Sequence, residues 1–207
     1  MVSRFYHQHE RWFLFAFIWL FQAAGYFLLN YRSQFTPSFT LNSFFDQQIP
    51  FLSLFLIPYL AMYLLESLPY FIINDVQYLR KITYAYLAVM AVTFLVFAFF
   101  PLRMLRPEIV PATFLDQGVL LLYRLDLPYN TFPSLHASLT FLAGLVIWLR
   151  DKKKGTIVLL LAVLISLSTL FIKQHYVADV VGGILLALVA YWLFRRTITV
   201  NAKNGTL

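Results

Sequence analysis

The sequence contains no cysteine and few charged residues. Of its 207 residues 12% are charged and 61% hydrophobic, whereas a soluble domain has about 25% charged and 45–50% apolar residues. The lack of cysteine excludes disulfide bonds and thiolate chemistry. The sequence also has no glycine-rich phosphate loop, no His-Glu-x-x-His and no calcium-binding loop. These absences exclude several common enzyme classes and favour a protein that works in a membrane.

Six apolar runs approach or reach the roughly 17–25 residues that a membrane-spanning helix needs. The runs are Trp12–Leu29, Phe51–Ile73, Ile82–Leu102, Phe132–Leu149, Thr156–Ile172 and Tyr176–Phe194. Only helices and closed barrels satisfy their backbone hydrogen bonds in lipid, and the two-residue alternation of a barrel is absent. We therefore predict an all-α integral membrane protein of six transmembrane helices, in one domain over residues 1–207. The first run lacks a clean cleavage site, which favours a retained helix over a signal peptide.

Proline, asparagine, serine and aspartate cluster in two stretches, Asn30–Pro50 and Pro101–Pro133, which indicates the longer loops. Within the second stretch, Pro111–Asp126 has apolar residues at helical spacing. This pattern predicts a short helix that either lies along the membrane interface or re-enters the membrane.

The basic residues indicate how the protein is oriented. Lysine and arginine number 16 against nine acidic residues, which gives a net charge of +7. Because they fall in short clusters between apolar runs, they indicate topology, and no nucleic-acid partner is expected. Eleven of them lie on the side of the two termini and five on the other. By the positive-inside rule we expect both termini in the cytoplasm. We also expect the protein in the plasma (cell inner) membrane.

Two histidines and an aspartate stand beside predicted helices, where ionisable groups are costly and are typical of functional sites. His175 and Asp179 are spaced i, i+4 and share one face of a helix. A carboxylate that holds one imidazole nitrogen leaves the other free to act as nucleophile or base. In the predicted topology His136 lies on the same extracytoplasmic face. The alternatives are a pair that only caps the sixth helix, and a metal site of the three side chains, which the nearby basic residues disfavour.

Hydroxyl and basic side chains near these residues suit a phosphoryl group. Ser134 precedes the fourth run, where it is expected to cap a helix, and a helix N-terminus also attracts anions. Arg106 and Lys173 are candidates for binding phosphate oxygens. For Arg103 and Arg124 the preferred interpretation is a side chain that reaches to the membrane interface.

These residues resemble the motifs of the type 2 phosphatidic acid phosphatase superfamily. The family has Lys-(six residues)-Arg-Pro, Pro-Ser-Gly-His and Ser-Arg-(five residues)-His-(three residues)-Asp. This sequence has Arg-Pro at 106–107, Pro-Ser-Leu-His at 133–136, and Ser-Thr at 168–169 followed by His175 and Asp179. The order of the motifs agrees with the family, and their core extends over about 99–194. The resemblance implies a phosphatidic acid phosphatase-like helical bundle.

The sequence departs from the family at two cations. Phe99 stands where the family has lysine, and Thr169 where it has arginine. Arg103 and Lys173 are candidate replacements by position alone.

The resemblance implies a phosphoric monoester hydrolase that acts on a lipid phosphate, such as phosphatidate or a prenyl pyrophosphate, without metal or cofactor. His175 would attack phosphorus and form a phosphohistidine, and Asp179 would orient it. His136 would protonate the leaving alkoxide and then activate water. The phosphate-binding residues would be Arg106, Ser134, Lys173 and Arg103.

Other functions stay open at this stage. Leu135 and the Lys-Gln-His-Tyr run at 173–176 are similar to the branch that contains inositol phosphorylceramide synthases, which transfer a phosphoryl headgroup to a lipid alcohol. The missing cations also suit a non-catalytic scaffold or transporter. A vanadium haloperoxidase shares the motif set, but the membrane character disfavours it. The expected partners are a lipid phosphate and membrane lipids, and the sequence indicates no oligomeric state.

Overall fold

A computed structural model describes the backbone of residues 2–203 and the side chains of residues 9–198. Across these residues the regular secondary structure is helical, and β-pairing is limited to two isolated bridges. The helices are α1 Val2–Ser33, α2 Phe44–Gln48, α3 Leu56–Leu60, α4 Met62–Ile72, α5 Val76–Phe99, α6 Phe114–Leu125, α7 Leu135–Trp148, α8 Lys152–Phe171 and α9 Val177–Lys203, with a 3-10 turn at Ser53–Phe55. The predicted all-α class is confirmed.

Five helical segments are long and apolar enough to cross a membrane, which makes the chain an integral membrane protein. They are His9–Ser33, Ser53–Ile72, Val76–Phe99, Lys152–Phe171 and Val177–Ile198. The predicted sixth span is not confirmed, because α7 has only 14 residues. At 1.5 Å per residue α7 is about 21 Å long, against a hydrocarbon core of about 30 Å. The side chains of Arg4 and Lys203, which the predicted orientation uses, lie outside the described side chains.

The short helix α7 is the centre of the bundle. Most of its residues are buried, and it packs against α4, α8 and α9. A helix that is apolar all round, as this one is, is typically surrounded by other elements. It begins after Ser134, which follows a cis peptide bond between Phe132 and Pro133. Its first turn, with His136, therefore lies inside the protein beside the turn that joins α8 to α9.

The second apolar run is interrupted. It consists of the 3-10 turn, α3 and α4, and the last two helices meet at Ala61. There the N–H of Ala61 donates to Pro58 O at 3.2 Å, a tighter turn than that of an α-helix. Three side chains of this run, one before the break and two after it, are buried: Tyr59 is 1%, Met62 3% and Glu66 3% exposed.

The short helix predicted within Pro111–Asp126 is confirmed as α6. Thr113 and Asp116 form a reciprocal capping box at its start. Val119 is fully buried against Leu56 and Tyr59, while Phe114 is 84% exposed. Helix α6 therefore packs one face on the interrupted second run and leaves an apolar face outward.

Candidate active site

The structure brings the three predicted catalytic side chains into one line. His136 Nδ1 lies 3.2 Å from His175 Nε2, and His175 Nδ1 lies 3.4 Å from Asp179 Oδ2. The two histidines are each 7% exposed and Asp179 is completely buried. The contact from His175 Nδ1 to Asp179 Oδ2 is slightly longer than a good hydrogen bond. Two imidazoles and one carboxylate are thus connected by direct contacts, in the order His136, His175, Asp179.

The backbone holds this line of side chains. The N–H of Ser134 donates to Asp179 O at 3.0 Å, which joins the start of α7 to the first turn of α9. Asp179 Oδ2 in turn accepts the N–H of Tyr176 at 2.8 Å and so caps its own helix. The N–H of His175 donates to Thr169 O at 3.2 Å at the end of α8. His175 is therefore fixed between two helices.

Two glycines allow α9 to approach the start of α7. A Cβ at Gly183 would lie 2.5 Å from Ser134 O, and one at Gly182 would lie 2.6 Å from the ring of Phe132. Any other residue at 183 would therefore push against backbone. The pair of glycines makes the short distance between the two motifs possible.

A second aspartate, Asp46 in the short helix α2, supports the start of α9 from a segment distant in sequence. The N–H of Val177 donates to Asp46 Oδ1 at 2.8 Å, and Asp46 also closes a capping box with Ser43 at the start of α2. Lys173, whose φ of 54° lies in the left-handed region, donates through Nζ to Asp46 O at 3.1 Å and Ile49 O at 2.5 Å. Partial burial lowers the pKa of Lys173, and the charge of Asp46 opposes that shift. The α2 loop thus clamps the segment that carries His175.

The predicted phosphate-binding residues have different surroundings. Ser134 is buried and caps α7, because its Oγ accepts the N–H of Ala137 at 3.3 Å. The ammonium of Lys173 is directed at the α2 loop carbonyls. Arg103 is exposed, and its backbone N–H donates to Phe39 O at 2.7 Å. The structure brings Ser134 next to the line of His136, His175 and Asp179, whereas it directs Lys173 to the α2 segment and leaves Arg103 at the surface.

Arg106 lies beside the residue that precedes His175. Its Nη2 donates to Gln174 Oε1, and its Nη1 donates to Asp126 O at 2.8 Å and Tyr123 O at 3.2 Å. The guanidinium also lies 4.2 Å from the ring centre of Tyr123. Its Nε has no hydrogen-bond partner among the described residues. Burial lowers the pKa of Arg106, and the charge of Asp126 opposes this.

Four residues that the sequence analysis did not select as site residues complete the surroundings: Tyr26, Tyr59, Asp126 and Gln174. The ring of Tyr59 lies 4.6 Å from that of His136, at an angle of 30°. Asp126 accepts the hydroxyl of Tyr26 at 2.7 Å and the amide of Gln174 at 3.4 Å. Burial raises the pKa of Asp126, although the Tyr26 hydrogen bond and Arg106 oppose the rise. Of these residues only Gln174 had a sequence signal, its position next to His175.

The residues at the two positions where the family has a cation, Thr169 and Phe99, do not supply a substitute for it. Thr169 is buried, and its hydroxyl donates to Ser166 O at 2.7 Å. Phe99 is 73% exposed at the end of α5. Over the part of the chain that the structure describes, no group of three His, Asp or Glu side chains is arranged to hold a metal ion. The contacts of His136 with His175 and of His175 with Asp179 can support acid–base and nucleophilic chemistry by imidazole.

Comparisons with known proteins are consistent with these motifs. The profile of the PAP2 superfamily matches residues 27–193. A stretch of 67 residues is 40% identical to the bacitracin transport permease protein of Bacillus licheniformis, covering 30% of this chain and 33% of that protein. Another of 79 residues is 36% identical to an uncharacterized protein of Methanocaldococcus jannaschii, covering 38% and 32%. The chain thus matches about a third of the length of these curated relatives. No solved structure matches the chain.

Proposed function

The chain belongs to the PAP2 superfamily, and from this membership we propose that it is a lipid phosphate phosphatase that works through a phosphohistidine. The observation that carries the proposal is the line of contacts from His136 through His175 to Asp179. A non-catalytic protein would not need two buried imidazoles in contact, since burying such groups without a role is costly.

In the proposed first step, the lone pair of His175 Nε2 attacks phosphorus while Asp179 holds the proton on Nδ1. The bond between phosphorus and the lipid oxygen breaks, and protonated His136 gives its proton to that oxygen. In the second step His136 takes a proton from water, the resulting hydroxide attacks phosphorus, and the bond from phosphorus to nitrogen breaks. Phosphate leaves and both histidines return to their starting states. The scheme uses no metal ion.

The geometry adds a requirement to this scheme. Because His136 Nδ1 and His175 Nε2 are only 3.2 Å apart, the two rings have to separate before a phosphoryl group can lie between them. The N–H groups at the start of α7 and the free Nε of Arg106 are candidate donors to its oxygens. The roles of Lys173 and Arg103 in binding phosphate stay predictions.

The decisive experiment measures phosphate release from a panel of lipid phosphates in detergent with EDTA. We expect release by the wild-type protein and none by His175→Ala. The matched control is His9→Ala, which removes a histidine of α1 far along the sequence from the motifs. Release that persists in His175→Ala would contradict the phosphohistidine, and release that stops with EDTA would contradict metal independence.

We further propose six passages, with α7 as a short central one, cytoplasmic termini and an extracytoplasmic site. Several contacts of basic residues support this orientation, because they cluster at the end of α7 opposite His136. Arg150 pairs with Asp75 at 2.8 Å, Arg80 pairs with Glu10, and Lys81 donates to Thr197 O at 3.4 Å. A basic end that faces the cytoplasm agrees with the positive-inside rule.

The lack of cysteine makes this orientation easy to test. Single cysteines at Glu108 and Lys153, both exposed, give one label site at each end without background. In intact cells a membrane-impermeant maleimide should label Glu108→Cys and not Lys153→Cys, and after permeabilisation both should react. The reverse pattern would place the site on the cytoplasmic side.

A second candidate function is transfer of a phosphoryl headgroup to a lipid alcohol. The observation that favours it is the shortage of cations, since Thr169 replaces the arginine and the Lys173 ammonium is held by backbone carbonyls. A phosphodiester carries less charge than a phosphomonoester and needs fewer cations. Product that forms only when a lipid alcohol is supplied would support transfer. If the protein catalyses neither hydrolysis nor transfer, and if its cellular role tolerates His175→Ala, the scaffold or transporter would be supported.

A further inference from the structure

A cavity of about 320 Å³ begins at His136 and extends into the bundle. Its walls come from α1, α3, α4, α6 and the start of α7 and are mostly apolar. Three side chains at its edge are partly open to the outside: Phe27 is 54%, Tyr63 38% and Leu125 68% exposed. The cavity therefore connects the catalytic histidine with the surface that the lipid would cover.

The cavity follows the axes of two helices. The residues that line it on α1 run from Trp19 to Phe27, and those on the interrupted second run extend from Tyr59 to Tyr63. At 1.5 Å per residue, the α1 wall is about 12 Å long. The ring of Tyr59 contacts that of His136 at one end, so the other end lies about two helical turns from the reacting atoms.

A buried polar pair stands at the inner part of this apolar cavity. Gln22 lines the cavity, and its Nε2 lies 3.3 Å from Glu66 Oε2. Gln22 is 7% and Glu66 3% exposed. Gln22 Oε1 and Glu66 Oε1 are both buried and have no hydrogen-bond partner among the described residues. Such atoms are rare in folded proteins, because each forfeits the hydrogen bond that water gave it.

We propose that the cavity binds the hydrocarbon chain of the lipid whose phosphoryl group lies at His136, and that Gln22 and Glu66 bind a hydrogen-bond donor on that chain. The donor would be a hydroxyl or an amide N–H about 6–10 Å from the phosphoryl group, since Gln22 lies four residues before Tyr26 and Glu66 seven residues after Tyr59. The proposal rests on the proposed function for the position of the phosphoryl group. It makes Gln22 and Glu66 specificity residues that do not touch the reacting atoms.

The pair of Gln22 and Glu66 suits a lipid chain that carries a hydrogen-bond donor better than a purely hydrocarbon chain. A hydrocarbon chain would cover both oxygens and leave them without hydrogen-bond partners in an apolar site, which is unfavourable. A chain with a hydroxyl or amide N–H at that depth satisfies Gln22 Oε1 directly, because an amide oxygen always accepts.

Trp19 provides a reporter of binding that does not depend on turnover. It lines the same cavity and is fixed by a hydrogen bond from Nε1 to Ser67 Oγ at 3.0 Å. The full chain in phosphatidylcholine nanodiscs would be titrated with alkyl phosphates that carry bromine on the chain, which quenches tryptophan on contact. We expect saturable quenching that is lost in Trp19→Phe. Equal quenching in the two proteins would overturn the occupancy of the cavity.

The polar pair is then tested by competition against the brominated probe. The competitors are n-alkyl phosphates and the matching ω-hydroxyalkyl phosphates, in a series of about six to twelve carbons. At one chain length we expect the hydroxylated compound to bind the wild-type protein about 2- to 10-fold more tightly than its alkyl partner, the value of one net hydrogen bond. The double variant Gln22→Met with Glu66→Met should lose this advantage.

The double variant removes both partners together, which is far less disruptive than leaving one of them unpaired. Met62→Leu, at another lining position, is the matched control and should keep the advantage of the hydroxyl. The same ratio in the wild type and the double variant, including a constant preference for the alkyl chain, would overturn the subsite. A hydroxyl preference without any phosphate release would contradict the phosphatase function and leave the subsite supported.

Discussion

The main-chain N–H of Ser134 donates to the main-chain carbonyl of Asp179 at 3.0 Å. This bond joins the motif at the start of α7 to the motif at the start of α9 through backbone alone. Because it involves no side chain, it holds the backbones of the two motifs together whatever the protonation state of the site, while the rings of His136 and His175 can still move apart. Changes that disturb the contact between these two helix ends should therefore affect catalysis more than they affect folding.

Gly183 should be more sensitive to substitution than its neighbour Gly182. An added Cβ would meet the backbone carbonyl of Ser134 at 183, but the ring of Phe132 at 182, and a ring moves more easily than backbone. We expect Gly183→Ala to lower the free energy of unfolding by about 1–3 kcal/mol and to abolish phosphate release. Denaturant unfolding in detergent and phosphate release would measure the two effects. Equal effects of Gly182→Ala and Gly183→Ala would contradict the proposed contact.

Asp46→Ala should lower activity although Asp46 is not one of the proposed catalytic residues. It removes the acceptor of the Val177 N–H at the start of α9, a loss worth about 0.5–2 kcal/mol for a helix cap. Asp46→Asn keeps an acceptor oxygen and should retain most of the activity. Asp116→Ala is a matched control, because it breaks the same kind of capping box on α6. If both alanine variants lower kcat equally, the link from Asp46 to α9 is not what matters.

Asp179→Asn should separate orientation from folding. The amide can still accept the N–H of Tyr176 at the start of α9, so the helix should form normally. It carries no negative charge to hold His175 in the required tautomer, and we expect kcat to fall at least about 10²-fold. KM should change little, since binding of the lipid does not use this carboxylate. Asp151→Asn, at the cap of α8, should leave kcat unchanged.

Asp126 and Asp116 should contribute to stability with opposite dependence on pH. Burial raises the pKa of Asp126, so the folded protein holds its proton more tightly than the unfolded chain does. The stability that this group contributes is fully present below pH of about 4, and it is lost as the pH rises through the pKa of Asp126 in the folded protein. Hydrogen bonds from Ser53 and Thr113 lower the pKa of Asp116, so its contribution is present above about pH 4 and is lost on acidification.

Unfolding curves at several pH values would measure these contributions. From pH of about 4 upward, the stability of Asp126→Asn relative to wild type should rise. Below that pH, the stability of Asp116→Asn relative to wild type should rise as the pH falls. The same slope for both variants would contradict the two assigned shifts.

Much of the candidate site could be predicted because its residues are close in sequence. A spacing of four residues is enough to put His175 and Asp179 on one helical face, and Ser134 before an apolar run is enough to predict a cap. The direction of Lys173 could not be predicted, because the carbonyls that hold its ammonium belong to a loop more than a hundred residues earlier. The same holds for Tyr59, whose contact with His136 depends on how the interrupted second run packs.

The sequence by itself determined that the chain is helical, apolar enough for a membrane, and equipped with two histidine motifs in a fixed order. These properties follow from composition and local spacing, which act whatever the rest of the chain does. Only the tertiary structure decided that α7 is a short buried helix, that Arg106 contacts Gln174, and that Gln22, in the wall of a cavity, contacts Glu66. Those relationships depend on packing between distant segments, where a lone polar group costs free energy until the fold supplies its partner.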